Sequence, residues 1–167
     1  ISEKEIAADL DFWFSVLEQI PDFDANELGI EARRAAKLSE VSAACEETIV
    51  AGIDVKIGEE VQHFSLTIHD QINLFGKQAQ LNAGAEKCEY HNDGNPCKFY
   101  TAEEMGQVVA AAMEHVSMQT TYCNSMYDWV KACTKASEIE AIQYGAEIPE
   151  EYQSEVLKEY LKEAAAK

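Results

Sequence analysis

No apolar run in this chain approaches the roughly 20 residues that a helix needs to cross a bilayer. No charged-then-apolar leader is expected ahead of the first helix. Basic residues are scarce: 13 Lys and Arg stand against 31 Asp and Glu, a formal net charge of −18. A field of that sign disfavours direct binding of phosphate backbones. The eight glycines are dispersed at element ends, so no phosphate-cradling loop is present. Internal repeats and low-complexity segments are absent. The chain lacks an initiating Met and begins at Ile1, so it is expected to be a processed product or a piece of a longer protein. Five cysteines, an odd number, favour free thiols in a reducing compartment.

What is present describes one globular domain. With 167 residues, 47% of them hydrophobic, the chain can bury a core as a single unit, 1–167. The helix at 2–20 can stand outside that unit as a peripheral extension. Charge is concentrated at the ends: −8 over residues 1–51 and −5 over 137–167, against −3 and −2 for 52–100 and 101–136. Two readings follow. One is a solvated acidic surface that keeps the protein soluble. The other is a nucleic-acid mimic that would occupy a basic groove on a nucleic-acid-binding enzyme. Glu151, Glu155, Glu159 and Glu163 fall on one face of a predicted final helix, about 6 Å apart. Lys158 and Lys162, three residues after Glu155 and Glu159, can neutralise that row.

Periodicity orders the chain. Ser2 with Glu5 caps a first helix that carries Ile6, Leu10, Phe14 and Leu17 on one face, broadened by Phe12 and Trp13, and Pro21 breaks it. A second helix over 25–51 ends at Gly52, the position of a left-handed cap. Ile53, Val55 and Ile57 alternate with polar residues as a strand, and Gly58 turns the chain back into Val61–Leu66. A helix is predicted over 68–83, ending at Gly84 and weakened inside by Gly76. A helix over 102–134, about 50 Å long, follows 3–4 apolar spacing that polar Gln119 interrupts. It is expected to pack against the 25–51 helix. Ser137 is expected to cap a short helix ending at Gly145, and Pro149 to open the last one. The closing Glu163–Lys167 reads as helix or as a linker remnant.

Residues 61–104 carry the densest signals. Thr67 with Asp70, and Thr101 with Glu104, are spaced as reciprocal capping boxes. Between them, Tyr90–Tyr100 reads as a hairpin with a two-residue type I′ turn at Asp93-Gly94. The stretch Phe64-Ser65-Leu66-Thr67, Asp70-Gln71-x-Asn73-Leu74, Gly84, Tyr90-His91-x-Asp93-Gly94 and Thr121-Tyr122-x-Asn124 then continues to Tyr144-Gly145 and Ile148-Pro149-Glu150-Glu151-Tyr152. These motifs resemble a small uncharacterised domain of tailed bacteriophages and prophages of gut bacteria, found near tail and baseplate genes. The resemblance covers about residues 24–162. It implies a phage origin and a place beside tail or baseplate components, and it carries no active site across.

Cys88, His91 and Cys97 invite a zinc reading. The two-residue turn sets Tyr90 opposite Cys97 and leaves Cys88 one diagonal step away with His91 on the other face, so no metal site is expected. Ser65 and His63 lack the third group and the geometry of a nucleophile, and Glu103-Glu104 open a helix, so enzymatic activity is not expected. Tyr122, Met126 and Trp129 read as core. The expected fold is α+β and helix-dominated: five or six helices, two of them long and packed antiparallel, with two β-hairpins able to join into one small antiparallel sheet. The expected function is that of a non-enzymatic phage protein, a tail- or baseplate-associated structural or assembly module acting through protein contacts. No cofactor, nucleic acid or membrane is expected as a ligand. Its partner would be another phage structural protein, met in the bacterial cytoplasm during assembly or in the virion. Phe12, Trp13 and Tyr152 are the candidate apolar anchors. The alternative is an acidic inhibitor of a host defence nuclease, of anti-CRISPR or anti-restriction type, working through Glu151, Glu155, Glu159 and Glu163.

Overall fold

The computed structural model describes residues 12, 13, 15, 16 and 25–166. The rest of the first helix expected over 2–20, its break at Pro21, and Lys167 lie outside the described residues. In order come α1 (Ala25–Ala51), β1 (Ile53–Ile57), β2 (Glu60–Phe64), α2 (Ile68–Asn82), β3 (Lys87–Tyr90), β4 (Lys98–Thr101) and α3 (Ala102–Ala132). Helix α4 (Ala136–Ala141), a 3₁₀ turn (Glu150–Tyr152) and α5 (Glu155–Ala166) complete the chain. The architecture is the helix-dominated α+β expected, with two long helices and two β-hairpins.

Helices α1 and α3 run antiparallel. The Arg34 guanidinium donates to the Cys133 carbonyl at 2.9 Å, and the Cys45 thiol to that of Gln119 at 3.5 Å. Further along, the His115 ring meets the Thr48 carbonyl at 3.1 Å, so rising numbers on one helix meet falling numbers on the other. At 31 residues α3 is about 46 Å long, and it serves two cores in succession. Its first half, through Met105, Val108, Val109 and Ala112, packs on both hairpins and α2, around Phe64, Leu66 and Tyr100. Its second half, through Cys123, Met126 and Val130, packs on α1, α4 and α5, around Val41, Ile139, Ile142 and Leu157. Gln119, the polar interruption in the sequence pattern, lies between the halves and accepts the Tyr144 hydroxyl at 2.8 Å. Tyr122 and Trp129 are partly buried against the second core, as their spacing with Met126 implied.

The end of α1 is tied to α3 and β2 through its terminal carbonyls. A helix leaves its last four carbonyls without partners inside the helix. Here His115 meets that of Thr48, and Gly52 N–H donates to Ile49 at 3.0 Å. Leu66 N–H donates to Val50 at 3.2 Å, and the His63 ring takes Ala51 at 2.8 Å. Gly52 has φ +88°, the left-handed conformation that only glycine adopts cheaply. A β-carbon there would stand 2.1 Å from the Phe64 carbonyl oxygen, so the close approach of β2 requires glycine as well.

Both capping boxes form. Thr67 Oγ1 accepts from Asp70 N–H while the Asp70 carboxylate accepts from Thr67 N–H, and Thr101 and Glu104 repeat the arrangement. Three expectations fail for reasons of tertiary structure: the two-residue turn at Asp93-Gly94, the Ser137 cap and the helix start at Pro149. The β3–β4 register pairs Tyr90 with Lys98 and Cys88 with Tyr100, so residues 91–97 form a seven-residue loop and Cys97 does not face Tyr90. Gly94 does sit at φ +75°, but Asp93 has no positive φ, which excludes type I′. The tight two-residue turn is instead Gly58-Glu59, where Ile57 pairs with Glu60 and glycine takes φ +63° at the first turn position, as type II′ requires.

Of the two arrangements left open for the hairpins, the structure has two separate two-stranded sheets. They are tied by Asp93 N–H to the His63 carbonyl at 2.9 Å and by the Tyr100 hydroxyl to buried Gln62 at 2.9 Å. Ser137 lies inside α4, which Lys135 precedes and which ends at Ala141, short of Gly145. Pro149 opens only the 3₁₀ turn. Ser154 caps α5, its Oγ accepting from Leu157 N–H at 3.1 Å, because Leu157 is wholly buried and the helix must start where it can reach the core. Glu163 to Ala166 continue α5 as helix.

Candidate functional site

The residues singled out from sequence do not form one site. Phe12 and Trp13 are exposed and meet edge to face with ring centroids 5.5 Å apart. Tyr152, expected as a third anchor, lies in the 3₁₀ turn and packs partly buried on the second core. Part of its ring is therefore taken up inside the domain. Glu151 stands in the same turn, off the final helix, so the four-glutamate row is a three-glutamate row: Glu155, Glu159 and Glu163 on α5. Lys162 pairs with Glu159 at 2.7 Å as the spacing implied, whereas Lys158 turns to Glu150 at 3.7 Å rather than to Glu155. Glu163 edges a shallow depression with His115, Met118 and Tyr160.

His63, Ser65, Asp54 and Asp93 do meet at the hairpin junction. His63 Nδ1 faces the Asp54 carboxylate at 2.7 Å while Nε2 is taken by the Ala51 carbonyl. Ser65 gives both its hydroxyl and its N–H to Asp93. A nucleophile needs a base nitrogen within hydrogen-bond reach of its hydroxyl. Here both imidazole nitrogens are committed to other acceptors, and the serine proton goes to a carboxylate. The cluster is an ionic clasp. The hydrogen bond to Asp54 leads in raising the His63 pKa above its ordinary value. Donation from the Ser65 hydroxyl leads in holding the Asp93 carboxyl low. Burial pushes the Tyr90 phenol, under the clasp, up to about 12.

Of the zinc candidates, Cys88 of β3 is wholly buried, Cys97 is exposed in the loop, and His91 stacks on Tyr90 at 5.6 Å. Among the described residues no group of three or more His, Cys, Asp or Glu is placed to hold a metal ion, and no helix is long and apolar enough to cross a membrane. Five free thiols are found: Cys45, Cys88, Cys123 and Cys133 buried, Cys97 exposed. Burial raises the Cys123 and Cys133 thiols, which keeps them protonated and unreactive.

One surface was missed by the sequence reading. Helix α2 turns Leu74 inward, with Gln71 and Leu81 beside it, and leaves Ile68, Ile72 and Phe75 on the opposite side at 63%, 62% and 71% exposure. Met113 of α3, 53% exposed, extends this face across a depression of about 190 Å³ floored by Leu74, Ala112 and Val116. Gln71 also borders a second hollow of about 360 Å³, between the start of α2 and helices α1 and α3, walled by Val50, Ile68 and Glu46. The signal was available: apolar residues at i, i+4 and i+7 on a helix that already has Leu74 and Leu81 on another face.

Neither a curated protein nor a solved structure matches the chain. A family described as a domain of unknown function (DUF4376) matches residues 32–146, from the second turn of α1 to the Gly145 turn. The matched span holds both hairpins, α2, α3 and the whole exposed apolar face, and stops short of the acidic helix α5; since it takes in most of the sequence, the chain belongs to the DUF4376 family.

Proposed function

We propose that this chain is a non-enzymatic bacteriophage protein, a structural or assembly module of the tail or baseplate that acts through protein–protein contacts. The observation that carries the contact role is the apolar face of Ile68, Ile72, Phe75 and Met113, four large exposed side chains gathered on neighbouring surfaces of α2 and α3, outside the two cores. Contiguous exposed apolar surface of this kind marks interaction sites in soluble proteins. The phage setting rests on the resemblance of the sequence motifs. The nucleic-acid-mimic reading is less favoured: Glu159 and Glu150 are paired with lysines, and Glu151 stands off the helix that would display the row.

The test is fractionation of particles from a host that produces the phage. Intact virions, isolated tails and particle-free lysate are separated on a gradient, and the protein is quantified in each by mass spectrometry. Cofractionation with tails or with tail assembly intermediates is expected. Recovery solely from the particle-free lysate at every stage of infection would refute the assignment.

A further inference from the structure

We infer that the groove between α2 and α3 receives one amphipathic helix of a partner protein, a helix with an apolar stripe and lysine or arginine beside it. This inference rests on the contact role proposed above and specifies its partner. Ile68, Ile72 and Phe75 occupy successive turns of α2, so they form a ridge along the helix, and Met113 makes the facing wall. The two hollows meet at Gln71 and together form a trough running from Val50 and Ile68 to Phe75 and Met113. A second helix laid in such a trough places side chains at i, i+3, i+4 and i+7 into it.

Charge selects the partner. The trough walls carry one carboxylate, Glu46, and no Lys, Arg or His. On α2 itself Lys77 is paired with Glu89 at 2.6 Å, and Asp70 is engaged in the cap of the helix. The chain as a whole carries −18. A basic helix is drawn toward this field and finds Glu46 at one end, while an acidic one is repelled.

The same field opposes a second copy of the chain, and so does area. Covering the four exposed side chains removes roughly 400 Å² from this surface, the size of a single patch, whereas a stable two-copy interface takes about 800 Å² per partner. One helix fits the trough where a whole subunit would leave most of its interface unmade.

The experiment uses the full chain and two stapled helical peptides of about 15 residues, long enough to hold a helix. Both have leucine at i, i+3, i+4 and i+7; one carries lysine at the remaining positions and the other glutamate. Binding is read by fluorescence anisotropy at physiological salt. The lysine peptide is expected to bind at least tenfold more tightly than the glutamate peptide. The charge-preserving double variant Ile72→Ser/Phe75→Ser should lose at least tenfold affinity for it, with melting and circular dichroism unchanged because both side chains are solvent-exposed. Glu46→Gln should lose a few-fold.

Three results would overturn the inference. One is no binding of the lysine peptide. Another is equal affinity in the double variant, which would mean that bulk charge alone holds the peptide. The third is a wild-type dimer in sedimentation that the double variant dissociates, which would make a second copy the occupant. Failure here alongside cofractionation with tails would remove this surface and leave the assembly role standing; peptide binding without cofractionation would do the reverse.

Discussion

Replacing Gly52 with alanine should be far more damaging than the same change at Gly84, although both glycines end helices with nearly the same backbone, φ +88° and +89°. At either position alanine enters the left-handed region at a cost of about 1–2 kcal/mol, offset in part by a stiffer unfolded chain. At Gly84 nothing lies within 4 Å of the added carbon, so the net cost should stay near 1 kcal/mol. At Gly52 the carbon would sit 2.1 Å from the Phe64 carbonyl oxygen and 2.7 Å from the Ser65 α-carbon. Backbone, not a flexible side chain, must move by about 1 Å. That strains the Leu66–Val50 hydrogen bond and the Ile53–Phe64 pair, each worth about 1 kcal/mol, and disturbs Phe64, which is 1% exposed in the first core. With about 1–2 kcal/mol for repacking, the total for Gly52→Ala is about 4 kcal/mol. Domains of this size are stable by about 5–15 kcal/mol, so the variant should fold weakly or not at all. Urea unfolding followed by circular dichroism measures both variants on one scale. Equal midpoints, or costs within about 0.5 kcal/mol of each other, would refute the argument that β2 requires glycine at this site.

Two further outcomes follow from the packing and the clasp. Leu157→Ala should cost about 2–5 kcal/mol, because Leu157 is the fully buried residue that docks α5 on α3, and urea unfolding reads the loss directly. A cost below about 1 kcal/mol would mean that α5 contributes little to the second core. His63→Gln should show a pH-dependent cost. Both partners of the ring, the Asp54 carboxylate and the Ala51 carbonyl, are acceptors, so only the imidazolium satisfies both. The raised pKa means that this stabilisation is complete below the ordinary value of about 6.5 and is lost as pH rises through the native value. The ring is about half exposed, which limits the effect to less than about 1 kcal/mol. The difference in melting temperature between wild type and variant should therefore be larger at pH 6 than at pH 9, and the opposite order would contradict the assignment.

Where expectation and structure agree, the determinants are local. Thr67 with Asp70 and Thr101 with Glu104 satisfy backbone donors within four residues of themselves, and Gly52 and Gly84 end helices through their own φ. None of these needs a distant partner, so all were legible. The β3–β4 hairpin is different. Asp93-Gly94 proposes a tight turn, but Asp93 is recruited by Ser65 and His63 of the other hairpin, and Tyr100 is drawn inward to Gln62. Those contacts settle the register one residue away and open a seven-residue loop. Ser137 and Pro149 misled for a related reason. Each can start a helix, and the helices that form begin where Ile139 and Leu157 reach the second core.

The site follows the same division. Sequence alone could nominate Phe12, Trp13 and Tyr152 as apolar and Glu151 to Glu163 as a row, since residue type and spacing are all that it displays. It could not say that Tyr152 would be partly taken up by packing, or that Ile68, Ile72 and Phe75 would be left outside. A helix with apolar residues on two faces can bury either, and the choice was made by α3, whose Val108, Val109 and Ala112 accept Leu74 and leave the other stripe in water. The chain's own chemistry determined the composition, the caps, the helix ends and the long spine. Tertiary packing decided strand register and which apolar face remained exposed, because those outcomes depend on the contacts between elements that compete for one buried surface.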